Sequence, residues 1–325
     1  AYEIRNCDWS SDVCSSDLMR KFLLLILCCV SAARCISGPP SFCSANRFTD
    51  VALFDSSDIR IDSNKVYAVS KNYFSGANDT LLMDVYYPDT LADTMTARPF
   101  ILLIHGGAFI AGSRHDMDYQ CMEFARRGFV TATISYRLGW NCGGTDFLSI
   151  CLLCGNLYAN IKTATYEAAQ DGRAAMRFID ANRTHYKIDN QNYFIGGTSA
   201  GSITAMHTVF WDQQEADTFC PWATAQVGLL DTAGNALPNN YLIKGVIDNC
   251  GGVTKDSILL NNGNVPLISF HDEGDCIVPN QYGQVISCAC QAFYYVAGSS
   301  IVHNLLADRK STRLNSSHSS VSRMP

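Results

Sequence analysis

The segment Tyr193-Phe-Ile-Gly-Gly-Thr-Ser199-Ala-Gly201-Ser202 sets a serine within Gly197-x-Ser199-x-Gly201. A short apolar run precedes it, and the stretch Ser202 to Phe210 reads as helical. A serine on a sharp strand-to-helix turn holds its Oγ out at the rim of a sheet. Such a turn is crowded, so its flanks must be small. The N–H after the serine, here that of Ala200, points at a carbonyl under attack, and the helix N-terminus favours the developing negative charge. That chemistry is nucleophilic acyl transfer. Gly-x-Ser-x-Gly alone also fits an ordinary glycine-rich turn. The strand before it and the helix after it favour the nucleophile.

A second segment, Phe100 to Gly112, reads FILLIHGGAFIAG. Its apolar run ends at Ile104, and His105-Gly106-Gly107-Ala108 follows. Glycine lets the backbone approach a ligand closely and turn its N–H groups inward. Gly106, Gly107 and Ala108 are therefore expected to supply the other oxyanion donors, beside Ala200. His105 reads as a prop for this loop rather than as a proton-transfer base. His207, two turns into the helix after Ser199, reads as a packing histidine. Trp140, Trp211 and Trp222 could line an acyl or leaving-group pocket, with core packing the preferred role.

These groups need elements to hold them. Thr80 to Tyr87 alternates and stops at Pro88, as an antiparallel edge strand does. Phe100 to Ile104 is continuously apolar, as in a strand buried on both faces. Gly128 to Tyr136 is β-branched and reads as the next strand. Tyr166 to Asn182 carries Ala169, Ala175, Met176 and Ile179 at helical spacing. Asn192–Ile195, Ile243–Ile247 and Val265–Phe270 complete the strands. Buried strands alternating with helices predict an α/β fold, with a mostly parallel central sheet covered by helices on both faces. Ligands of such sheets bind beyond the carboxyl ends of the strands.

His105-Gly-Gly-Ala-Phe109, Tyr136-Arg-Leu138 and Gly197-Thr-Ser-Ala-Gly201 together resemble the carboxylesterase branch of the α/β-hydrolases. Ala169-Gln-Asp-Gly-Arg-Ala-Ala-Met-Arg-Phe178 is similar to the helix before the nucleophile strand in that branch. The resemblance runs from about Thr80 to Pro279. It implies an α/β-hydrolase fold with an eight-stranded sheet, and hydrolysis of carboxylic esters through an acyl-serine at Ser199. Pro266-Leu-Ile-Ser-Phe-His271-Asp-Glu-Gly-Asp275-Cys-Ile-Val-Pro279 resembles the family's His-Gly-x-x-Asp-x-x-Val-Pro, which makes Asp275 the triad acid. Asp272 reads as a cap or surface carboxylate. The acid would hold a histidine in one tautomer and stabilise its charged form. The order Ser, Asp, His leaves His303 as the candidate base, 28 residues after Asp275. A histidine further along is the other possibility, because Gly298 to Leu306 reads as the start of a helix. No metal or organic cofactor is implied. A non-catalytic binding or adhesion protein on this scaffold is the alternative; a serine peptidase of the same fold is another.

The ends of the chain read differently. Asp8 to Asp17 and the tail Asp308 to His318 can be encoded by one DNA segment read in opposite orientations, and that segment resembles a sequencing adapter. Residues 1–18 and 308–325 are therefore set aside as adapter-like. On this reading the natural C-terminus is missing. From Met19, Met-Arg-Lys precedes an apolar run, Phe22 to Val30, and Ser31-Ala32-Ala33. This is the pattern of a secretory signal peptide over residues 19–33, with nine apolar residues too few to span a bilayer. The hydrolase domain is then 34–307. Export and the even set of ten cysteines from Cys43 onward favour disulfides over metal.

Composition limits the partners. The chain has 325 residues, 47% hydrophobic and 17% charged, with a net charge of −6. There is ample apolar material for a core. The acidic balance and lack of a basic block argue against nucleic acid. The expected substrate is a small-molecule or polysaccharide-linked ester. The expected setting is secreted, periplasmic or extracellular, without membrane insertion once the signal is removed.

Overall fold

The computed structural model describes residues 47–140, 144, 147–153, 155–260, 265–287 and 293–308. Residues 1–18, the signal segment, the tail from 309 onward and residues 141–143, 145–146 and 154 of the Cys-rich insertion lie outside them. Seven strands form the main sheet: β1 (Ile59–Lys71), β2 (Asn78–Pro88), β3 (Arg98–Ile104), β4 (Val130–Ile134), β5 (Ile188–Thr198), β6 (Ile243–Asn249) and, after a two-residue strand β7 (Gly252–Val253), β8 (Leu267–Phe270). Their order is β1-β2-β4-β3-β5-β6-β8. Strands β4, β3, β5, β6 and β8 are mutually parallel, and β1 and β2 are antiparallel. A small second sheet orders β7-β10-β9, with β9 at Tyr282–Gln284 and β10 at Tyr295–Gly298. The architecture is the mostly parallel, helix-covered sheet of an α/β-hydrolase. Among the described residues the main sheet has seven strands rather than the eight expected.

Pleating explains the layers. Phe100, Leu102 and Ile104 of β3 face one core, and Ile101 and Leu103 face the other. Successive side chains of a strand point to opposite faces, so a strand covered on both sides must be apolar throughout. Helix α1 (Asp118–Ala125) packs Cys121, Phe124 and Ala125 into the second core. Helices α2 (Leu157–Ala181) and α3 (Ala200–Phe210) pack on the first.

Two expectations need correction. Thr80 to Tyr87 is not an edge strand: β2 lies between β1 and β4. The true edge, β1, carries Arg60, Asp62 and Lys65 and shifts register at Asp62/Lys65 and Val66/Ala68. Charges and bulges of this kind blunt an edge and blur its alternation. The helix expected at Tyr166 begins at Leu157, nine residues earlier. Its polar first turns are covered: the Lys162 ammonium lies 4.5 Å from the Phe219 ring centroid, and Trp222 Nε1 donates to Thr163 Oγ1 at 2.8 Å. Cys121 and Cys220 are buried free thiols, so the disulfide expectation does not extend to them. No helix among the described residues is long and apolar enough to cross a membrane.

Candidate active site

Strand β5 ends at Thr198 and α3 begins at Ala200, leaving Ser199 alone on the turn with φ 54° and ψ −119°. That is a left-handed backbone on a residue with a Cβ, a costly conformation that persists only where the surroundings enforce it. The enforcement is visible. Ser199 N–H donates to Asn249 O at 2.8 Å, and Ile203 N–H donates to Ser199 O at 2.9 Å. A Cβ on Gly201 would lie 2.1 Å from Ile104 O, so helix and strand ends approach as only glycine permits. Ala200 is the first helical residue, and its N–H has no intrahelical acceptor.

The loop after β3 comes up beside this turn. The Cβ position of Gly106 is 3.4 Å from Ser199 Cβ. Gly107 has φ +109°, and Ala108 and Phe109 also take positive φ. Trp140 Nε1 donates to Ala108 O at 2.7 Å, which fixes the outer side of the loop. Ile110 and Ala111 N–H groups donate to Gly107 O at 3.0 Å. The loop's carbonyls are thereby occupied while the N–H groups of Gly107 and Ala108 find no acceptor among the described residues. His105 is the expected prop. It is buried, stacks on Tyr136 at 4.4 Å, and places Nδ1 2.7 Å from Gly106 O. Burial lowers its pKa, which suits a neutral ring donating from Nδ1.

Ser199, Ala200 and Ala108 border one shallow hollow with apolar walls. None of Trp140, Trp211 or Trp222 lines it. Trp211 packs 4.2 Å from the buried ring of His207, which is a packing histidine as expected. Ile277 and Val278, just after Asp275, do line it.

Asp275 Oδ1 accepts the N–H groups of Ile277 at 2.8 Å and Val278 at 3.0 Å, which shapes this loop. Its Oδ2 lies 3.6 Å from His271 Nε2. His271 is the residue overlooked in the sequence. Its Nε2 donates to Val278 O at 2.7 Å, and its Nδ1 is 2.6 Å from Ser299 Oγ. Burial pushes its pKa down, but the Asp275 carboxyl, the Asp248 charge and the Val278 carbonyl together raise it.

His303, the candidate base, stands on α4 (Ser299–Asp308). Its Nε2 lies 3.0 Å from Ser269 Oγ. The residues around the Ser199 hollow do not include it. The structure thus brings together Ser199, Ala200 and the Gly106–Ala108 loop, and sets the Asp275 loop along the hollow. It engages His303 with Ser269 instead.

Among the described residues one group could hold a metal: ligand atoms of Asp84, His115 and Asp118 lie within 4.8 Å of one another. Arg114 Nε already pairs with Asp84 at 2.8 Å, and Tyr86 OH donates to Asp118 at 2.6 Å. Those carboxylates are spent on neighbours.

The profile of the carboxylesterase family matches residues 56–219, half of the chain, and takes in both the Gly106–Ala108 loop and Ser199. The chain belongs to the carboxylesterase family. Neuroligin-like protein glit-1 of Caenorhabditis elegans is 30% identical over 126 residues, 39% of this chain and 15% of that protein. Gut esterase 1 of Caenorhabditis briggsae is 24% identical over 194 residues, 56% of this chain and 32% of that protein. Among solved structures, Thermogutta terrifontis esterase 2 phosphorylated by paraoxon aligns with a TM-score of 0.44 at 19% identity, over 69% of this chain and 74% of that one. The chain spans a third or less of these two curated relatives.

Proposed function

We propose that this carboxylesterase-family chain is a secreted serine esterase acting on small or polysaccharide-linked esters. The observation that carries the reading is Ser199, alone on the strand–helix turn, facing a hollow bordered by Ala108 and Ala200. Ser199 Oγ attacks the ester carbonyl as a base takes its proton. The carbonyl oxygen becomes an oxyanion and is held by the N–H groups of Ala200 and of Gly106, Gly107 or Ala108. The C–O bond to the alcohol then breaks, and the alcohol leaves with the proton. Water repeats the attack on the acyl-serine and releases the acid. Donors aimed at the oxyanion are each worth roughly a hundredfold or more in rate.

In this reading Asp275 orients the base. His303 takes that part only by giving up Ser269. His303→Gln therefore tests the assignment directly: loss of turnover with Ser199 still able to react would make it the base, and full turnover would exclude it.

The deciding experiment is labelling with a fluorophosphonate probe, the modified residue located by mass spectrometry, alongside hydrolysis of p-nitrophenyl butyrate. Label on Ser199, lost in Ser199→Ala together with hydrolysis, is expected. Hydrolysis retained by Ser199→Ala would overturn the nucleophile assignment. The likeness to a neuroligin-like protein favours a second reading, a binding protein without catalysis. A folded chain that neither labels nor hydrolyses would support it.

A further inference from the structure

Asn78-Asp79-Thr80 and Asn182-Arg183-Thr184 each carry Asn-x-Thr, the acceptor pattern for N-linked glycans in exported chains. A third match, Asn315-Ser316-Ser317, lies in the adapter-like tail, outside the described residues. The fold treats the first two differently. Asn78 opens β2 at an exposed position, opposite Lys71 in the last pair of the β1–β2 ladder. Thr80 is exposed as well and pairs with Val69. Asp79 between them points to the other face, where it accepts Asn72 Nδ2 at 2.8 Å. The hairpin tip is built by Asn72 instead: its Oδ1 accepts the N–H groups of Phe74 at 2.8 Å and Ser75 at 3.2 Å. Asn182 is engaged. It is half-buried, ends α2, and its Nδ2 donates to Phe178 O at 2.8 Å.

The face that carries Asn78 also leaves apolar surface open. Directly opposed residues of an antiparallel pair share a face. Lys71, Val69 and Val66 of β1 therefore stand beside Asn78, Thr80 and Leu82 of β2. Val66 and Val69 are 51% and 50% exposed, and Leu82 is half-buried. Strand β1 is the edge of the sheet, where open apolar surface invites aggregation. We infer that Asn78 is the N-glycan acceptor of the exported chain, and that its glycan covers Val69 and Val66. The inference rests on the export reading and not on the esterase reading. Two residues of a strand advance about 7 Å, so the first sugars on Asn78 reach the side chains next along this face. Their rings present C–H groups to the valines and hydroxyls to water. In the transfer, Asn78 Nδ2 bonds to the anomeric carbon of a lipid-diphosphate-linked oligosaccharide. The bond from that carbon to the diphosphate oxygen breaks, the diphosphate leaves with the electron pair, and Nδ2 loses one proton to a base of the transferase. At Asn182 the same step puts a sugar into the corner where the amide closes α2, and sets it against the Phe178 contact.

The test is expression of the full chain in insect cells behind an added signal peptide, which carries it into the secretory pathway whatever residues 19–33 do. A bare Asn78 then counts against the acceptor and not against export. Glycans are trimmed to a single N-acetylglucosamine with an endoglycosidase and located by mass spectrometry. Trypsin, cutting after Lys71, Arg98, Arg177 and Arg183, sets Asn78 and Asn182 on separate peptides. Asn78 should be occupied in most molecules, and Asn182 at least about fivefold less often, the factor set by one lost hydrogen bond. Asn78→Gln and Thr80→Ala should each remove the first glycan, and Thr80→Ser should keep it. The Asn78→Gln protein should aggregate faster than the wild type on warming, read by light scattering. Adding Val66→Thr and Val69→Thr to it should restore the wild-type rate. Enzymatic removal of the glycan from the folded wild type gives the same comparison should a variant fail to fold. A bare Asn78 in the wild type overturns the acceptor, and Asn182 occupied as often as Asn78 overturns the selection by the fold. Aggregation that glycan loss leaves unchanged, or that the valine substitutions do not restore, overturns the cover.

Discussion

Lowering the pH should unlock the nucleophile helix through one residue, His207. Its ring is buried on α3, with Nδ1 2.6 Å from Ile203 O and Nε2 accepting the Thr254 N–H at 3.1 Å. Only a neutral ring protonated at Nδ1 satisfies both contacts. Burial pushes its pKa down from 6.5 to about 4, against a smaller upward pull from the Ile203 carbonyl. The folded state therefore resists a proton that the unfolded chain accepts from pH 6.5 downward. The contribution is fully present above pH 6.5, is lost as pH falls, and is gone near pH 4. Two and a half pH units correspond to roughly 3 kcal/mol, a large share of a domain stability of about 5–15 kcal/mol.

Glu167 acts in the opposite direction. Burial is the largest influence and raises its pKa to about 7, despite the Arg137 charge. The folded state then gains protons relative to the unfolded chain between pH 7 and 4.5, and that gain stabilises. Comparison with His207→Gln removes this background, since glutamine offers an amide donor and an acceptor and does not titrate. Urea unfolding of both proteins, followed by tryptophan fluorescence at pH 7.5, 6.5, 5.5 and 4.5, measures the difference. The wild type should lose about 2.5 kcal/mol relative to the variant across that series, since pH 4.5 stops short of the folded pKa. Parallel curves for the two proteins would refute the reasoning, because Glu167 and every other titrating group is common to both.

Other outcomes follow from the same contacts. Trp140→Phe keeps the ring and deletes the hydrogen bond to Ala108 O; kcat should fall about tenfold with KM changed less than about twofold, as for a group that acts on the oxyanion loop. Gly201→Ala places a Cβ 2.1 Å from Ile104 O and 2.4 Å from His105 O, so activity should drop at least about a hundredfold and stability by about 2–4 kcal/mol in urea. Arg137→Met leaves the buried carboxylates of Asp171 and Glu167 without their cation. It should cost about 3–5 kcal/mol at pH 7.5 by the same assay, and part of that loss should return at pH 5.5, where Glu167 takes a proton.

What was legible in the sequence is what local geometry demands. Gly197 and Gly201 have no room for a Cβ, and Gly107 needs a backbone conformation that favours glycine, so each leaves its mark on the residue type. Strand β3, buried on both faces, must be apolar at every position, and it reads so. Edge strand β1 needs neither rule, and its charges and bulges hid it. The first turns of α2 are polar because Phe219 and Trp222 cover them, a tertiary fact that periodicity does not record. Part of the hollow's lining was also hidden. Ile286 and Tyr294 sit beside strands of three and four residues, too short to leave an alternating pattern.

The histidines show most clearly why a residue's type does not settle its role. Asp248, near the end of β6, is fully buried. Its Oδ1 accepts Ser202 Oγ at 2.5 Å and Gly251 N–H at 2.8 Å, and its Oδ2 accepts Ser269 Oγ and Ser299 Oγ at 2.6 Å each. A hydroxyl has one proton to give. Ser299, having given its proton to Asp248, can only accept from His271 Nδ1. Because His271 Nε2 also donates to Val278 O, both ring nitrogens carry protons, in accord with the raised pKa. The Asp275 carboxylate 3.6 Å away balances that charge. The same count applies to Ser269, which leaves its oxygen free only to accept, so His303 Nε2 must be the donor there. A nitrogen that carries a proton toward Ser269 cannot at the same time take one from Ser199. Asp248 therefore links the nucleophile helix, through Ser202, to the Asp275 loop, and in doing so it commits both histidines as donors. For His303 to act as a base in this fold, its Nε2 must first leave Ser269, which makes the His303→Gln comparison a test of the hydrogen-bond count as well as of the mechanism.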